Sequence, residues 1–147
     1  MHLPHGTVLY KDLEQVSSCR GEPTATYLLA WDQTLRATDY RTAFYGNTNR
    51  QNYDFPVAYC AAVARNSDFA SRVLLDMDEP EPQLAAPRHT IGPANAPRFA
   101  PFQPRCTPPG KTTIWQYGES RDDDNLTDVD QARPNTPGML APGGGIT

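Results

Sequence analysis

Cysteine and histidine are the residue types in this chain best suited to nucleophilic or metal chemistry, and their spacing supports neither. Cys19, Cys60 and Cys106 are odd in number, far apart, and form no Cys-x-x-Cys, so neither a zinc ribbon nor a redox motif can be read. His2, His5 and His89 form no ligand cluster. A nucleophile–base pair such as Cys60 with His89 is left open, and such a pair works only when held rigidly in a dry pocket. Gly110-Lys111-Thr112 superficially matches the end of a phosphate-binding loop. That pattern needs a further glycine where Arg105 stands, and prolines rather than a strand precede it. Tried as a calcium loop from Asp122, the acidic run puts Leu126 where an oxygen ligand is needed. Thr127 then occupies the place of the turn glycine. The expectation is therefore no catalysis, no cofactor, no metal and no small-molecule substrate.

Composition bears on whether any site could be held at all. The chain has 147 residues, enough for one domain. Leu, Ile, Val and Phe together make up only about 17% of it, below the roughly 20% usual for globular chains. Fifteen prolines and ten glycines point the same way. A net charge of −4 is too small to cause disorder by repulsion and has the wrong sign for a strong nucleic-acid binder. Seven Tyr, two Trp and a basic complement made almost wholly of Arg suit contacts on another molecule's surface. No apolar run spans a membrane and no N-terminal segment reads as a signal peptide, so an intracellular chain with reduced thiols is expected.

The elements that would position these residues are short. Residues 1–23 read as an irregular arm, with room for a short helix around Lys11–Ser17. Residues 24–78 read as short helices around a Tyr/Arg-rich loop. Thr24 is an N-cap candidate, and Tyr27, Trp31 and Leu35 recur every four residues through a helix ending near Arg36. The stretch from Asp39 to Tyr53 has no apolar periodicity and reads as a loop. A second helix starts at Asp54, with Pro56 in its first turn, and runs to Arg65; a third covers Phe69 to Leu74. Nine prolines fall between Pro80 and Pro109, which makes 79–110 an extended arm of roughly 90 Å at full stretch. Residues 111–147 read as a strand-like segment at Lys111–Gly118, an acidic run and a Pro/Gly-rich tail. The expected fold class is mostly irregular and extended, with two to four short α-helices, little or no independent core and at most one short edge strand.

Two stretches resemble microtubule-binding proteins. Thr107-Pro108-Pro109-Gly110-Lys111-Thr112-Thr113-Ile114 is similar to the Pro-Pro-Gly-Gly-Lys-Ser-Ser-Ile signature of the Jupiter and SPIRAL-type microtubule-associated proteins, with one glycine for two and Thr for Ser. Ala141-Pro142-Gly143-Gly144-Gly145 looks like a weaker second copy. Tyr40-Arg41-Thr42, then Tyr45-Gly46 and Asn47-Thr48-Asn49, resembles the Tyr-Arg-Thr…Tyr-Gly stretches of Piercer-type proteins on the inner wall of ciliary doublet microtubules. The resemblance implies a non-catalytic structural protein of the cilium or flagellum axoneme. It would bind tubulin and neighbouring axonemal proteins, stabilise the lattice from its luminal face, and need neither nucleic acid nor membrane. It implies partner contacts through Tyr40, Arg41, Thr42, Tyr45, Gly46, Arg50 and Tyr53, and through Pro108, Pro109, Gly110, Lys111 and Thr112. Arg36, Arg65 and Arg72, with Arg41 and Arg50, could fork onto tubulin carboxylates. The same composition would serve a cement or accessory protein of a virion or ribosome. A small enzyme or regulatory domain over 24–78, with Cys60 as its thiol, is the remaining alternative.

Overall fold

The computed structural model describes residues 3–13, 24–47, 54–77, 96–122 and 125–137. In chain order these form β1 (Val8–Asp12), α1 (Ala25–Arg36), β2 (Arg41–Gly46), α2 (Asp54–Arg65), α3 (Asp68–Arg72), β3 (Leu74–Met77), β4 (Thr112–Asp122) and β5 (Asn125–Ala132). The expected short helix near Lys11–Ser17 begins where β1 still runs; residues 14–17 of it, with Arg50, Tyr53 and the Pro/Gly tail beyond Pro137, lie outside the described residues.

The five strands make one sheet in the order β1-β2-β3-β4-β5. The first four run parallel, from Val8↔Arg41 on one side to Met77↔Trp115 on the other. β5 returns antiparallel against β4. The expected irregular, coreless chain is thus overturned: this is an α/β fold with a structured core. Lys111–Gly118 is no edge segment either, because β4 is eleven residues long and lies between β3 and β5.

Two of the helices fall where local chemistry puts them. Thr24 caps α1, its hydroxyl accepting from the Tyr27 amide at 3.2 Å, and α2 carries Pro56 in its first turn. α1 is turned, however, relative to the Tyr27–Trp31–Leu35 face. Its buried residues are Ala25, Leu28, Asp32 and Leu35, while Tyr27 is 42% exposed. α3 ends at Arg72, and Leu74 opens β3 instead of closing a helix.

The core explains how so few aliphatic residues suffice. Phe44 on β2 lies against Phe55 of α2 and Phe69 of α3, with ring centroids 6.1 and 6.2 Å away, and Tyr59 closes the ring of contacts 5.4 Å from Phe69. Leu28, Ala58, Ala62, Val63, Val73 and Leu75 fill in around them. Aromatic rings each bury 150–250 Å², and alanines let helix backbones approach closely, so a tally of aliphatic residues misses most of this core. Among the described residues, the helix layer stops beyond α2. Residues 96–111 form a strap without helix or strand that covers β4 and β5, setting Phe99 and Phe102 against Trp115, Tyr117 and Val129. A disulfide joins Cys60 of α2 to Cys106 of the strap, replacing the expected reduced thiols at these two positions.

Candidate functional site

β2 is the element that periodicity hid. Its inward residues are Thr42, Phe44 and Gly46, a single large apolar side chain between two small ones, so the alternation reads as noise. Parallel pairing places the amino ends of β2, β3 and β4 side by side. The helices α1 and α3 that precede β2 and β3 deliver their last turns to the same end. The result is an open cleft of about 370 Å³.

Asp32 and Arg36 of α1 enter the cleft, as do Tyr40 and Arg41, Ser71 and Arg72 of α3, and Lys111 ahead of β4. The turn after β5 adds Pro137. It is pinned by Thr136, whose hydroxyl donates to the Arg133 carbonyl at 2.7 Å and the Thr113 carbonyl at 3.3 Å.

Asp32 organises the floor. It is 3% exposed, and a carboxylate so buried must be paired. Arg72 Nη2 donates to its Oδ2 at 2.7 Å, and the Thr42 hydroxyl donates to its Oδ1 at 3.1 Å. The same guanidinium keeps a buried Nε without a hydrogen-bond partner. Arg36, Arg41 and Lys111 are exposed and have no ion pair among the described residues. Four basic side chains thus face one carboxylate, on a chain whose net charge is −4. Arg36 and Arg72 also sit in last helical turns, where cations offset the carbonyl end of the helix dipole. Arg41 and Lys111 have no such local role, and they carry the excess.

Of the residues expected to meet a partner, the fold brings Arg36, Tyr40, Arg41, Thr42, Arg72 and Lys111 to this one cleft. The other described ones go elsewhere, while Arg50 and Tyr53 lie outside the described residues. Tyr45 points to the sheet face away from Phe44, and its hydroxyl donates to Gln116 Oε1 at 2.6 Å. Gly46 lies under Leu13 and Phe55. Gly110 is buried so tightly that a Cβ there would come within 2.8 Å of Leu75 Cδ1 and 3.1 Å of Tyr59 Cε1. Thr112 is fully buried and its hydroxyl donates to the Phe102 carbonyl at 3.2 Å, whereas Pro108 and Pro109 are exposed on the strap. Arg65 donates to the Thr26 hydroxyl at 2.9 Å, tying α2 to α1.

Asp32 belongs to no motif, yet its position in the sequence carries a signal. Leu28, Asp32 and Leu35 share a helical face, so a carboxylate there demands a cation from another element.

Three comparisons bear on these findings. No family model matches the chain, and no curated protein sequence matches it. Among solved structures, it is similar to an uncharacterized protein of B. stearothermophilus known from a crystal structure. The TM-score is 0.72 and the identity 28%, over 89% of this chain and 55% of the other. This chain thus spans about half the length of that protein, and the likeness supports the α/β fold.

Proposed function

We propose that the protein is a non-catalytic binding module whose basic cleft takes carboxylate side chains of an acidic protein partner. One observation carries the reading. Four basic side chains from four separate places in the sequence meet in one cleft, and three of them have no ion pair among the described residues. Buried Asp32 holds Arg72, so part of the cationic wall is preorganised before a ligand arrives. Planar guanidinium groups suit bidentate contacts with carboxylates. The test is fluorescence anisotropy of a labelled acidic peptide, such as an octaglutamate, at low and physiological salt. Saturable binding that weakens as salt rises, and that Arg41→Glu weakens at least tenfold, supports the reading; wild-type protein that leaves the peptide free at low salt sinks it.

A narrower reading makes that partner tubulin, as for a lattice-stabilising protein on the luminal face of axonemal doublets. It is favoured by the meeting of Tyr40-Arg41-Thr42 with Lys111, one stretch from each microtubule-type resemblance, at the same cleft. Binding would then be by a folded body presenting a cleft, in place of an extended chain wrapped along protofilaments. Stoichiometric pelleting with doublets, lost on Lys111→Glu, is the outcome this version requires.

A further inference from the structure

Among the described residues, the strap over β4 and β5 is held without helix or strand of its own. Residues 96–111 have no helix or strand, and ordering each one costs about 1–2 kcal/mol of backbone entropy. Against that stand an edge-on contact of Phe99 with Trp115 at 6.1 Å and Arg133 placed 4.9 Å over the Phe99 ring. The Thr112–Phe102 hydrogen bond and the packing of buried Pro104 add to these. What fixes the strap to the main core is the bond between Cys60 and Cys106. Their Cα atoms are 5.1 Å apart, inside the range a disulfide spans, and they lie 46 residues apart in sequence. Both side chains are half-buried, and Cys106 packs against the core cluster that contains Tyr59 and Phe69.

We propose that Cys60 and Cys106 are an oxidative maturation site, so that the chain completes its fold in an oxidising compartment. The inference is independent of the acidic-partner reading of the basic cleft, but it excludes the axonemal version of it, whose compartment is reducing. The oxidant is of the protein-disulfide class. The thiolate of one cysteine attacks a sulfur of the oxidant's disulfide, and the other oxidant sulfur leaves as a thiolate. The second cysteine then attacks the mixed disulfide and displaces the remaining oxidant sulfur. Two thiols of this chain become one disulfide, and the oxidant gains two electrons and two protons as a dithiol. A disulfide closing a loop of this length mainly penalises the unfolded chain, and such bonds persist where the surroundings are oxidising. Reduction is expected to free the strap, open Trp115 and Tyr117 to solvent, and loosen the lead into Lys111.

The experiment is differential alkylation of the full chain after folding in a glutathione redox buffer, read by peptide mass mapping. Denaturant titrations with and without dithiothreitol accompany it. The expected result is a linked Cys60–Cys106 peptide, and a reduced protein whose unfolding constant is larger by about a hundredfold or more. The Cys60→Ser/Cys106→Ser variant should match the reduced protein and ignore dithiothreitol. Alkylation of both cysteines in the folded wild type would overturn the proposal, even if the variant itself fails to fold. So would a denaturation curve that dithiothreitol leaves unmoved.

Discussion

The two halves of the helix-side layer solve the same problem by different means. Over β1, β2 and β3, helices α1, α2 and α3 bury a contiguous cluster built around Phe44, Phe55, Tyr59 and Phe69. Over β4 and β5, the strap buries only Trp115, Tyr117 and Val129 beneath Phe99 and Phe102. The first half is held by packing that any reducing or oxidising solvent leaves alone. The second depends on a covalent tie, one close-packed glycine and a few ring contacts. Proline density explains the difference, since a segment as rich in proline as residues 96–111 cannot supply a helix interior. What remains is an extended segment that must be fastened at points.

The largest break is expected in the helical half. Asp32→Ala leaves Arg72 without its carboxylate and Thr42 without its acceptor. Because Arg72 is about a quarter exposed, the cost should be about 2–3 kcal/mol, short of a fully buried pair. Urea unfolding measures it, and Arg72→Met combined with Asp32→Leu should recover much of the loss. In the strap half, Gly110→Ala is expected to cost about 1–3 kcal/mol. The new methyl would press on Leu75, Pro104 and Tyr59 at 2.8–3.1 Å. Amide exchange should localise that damage to the strap and spare α1. If it spreads evenly through both halves, the contrast between them is wrong.

The smallest effect concerns Tyr59, which touches both halves. Burial pushes its phenol well above the ordinary value of 10.0, and its hydroxyl has no hydrogen-bond partner. Tyr59→Phe should therefore change stability at neutral pH by no more than about 1 kcal/mol, with either sign open to packing. The pH dependence has a fixed sign. The unfolded chain releases this proton near pH 10 while the folded chain retains it, so stability is full below that pH and falls as pH rises above it. Thermal melts between pH 8 and 11 should show a shallower alkaline decline for Tyr59→Phe than for the wild type. Tyr10, raised by burial and by neighbouring Asp76 and lowered less by its bond to Thr113, contributes in the same direction.

The same division runs through what the sequence discloses. α1 and α2 are legible because their start signals are local: a threonine cap, and a proline in a first turn. β2 is not, because Thr42 and Gly46 flank Phe44 on its inner side and the partner strands that make it a strand are distant in sequence. β4 is legible as a strand, but its place inside the sheet is set by pairing with β3 and β5. A composition count that sets aside Ala, Tyr and Trp sees no core, yet Ala62, Tyr59 and Trp115 are among its most buried residues. Arg41 and Lys111 lie in short motifs. Their convergence with Asp32 and Arg72 follows from the parallel register alone, which no local pattern encodes.

The measurement that tests the central claim most directly is binding of the acidic peptide by the oxidised, full-length protein. It should be compared with Arg41→Glu, Lys111→Glu and the pair together. Each single reversal should weaken binding at least tenfold at low salt and the pair should abolish it, with the folded state of every variant unchanged by circular dichroism. Equal binding by wild type and double variant would contradict the assignment of the cleft, whatever else the protein proves to bind.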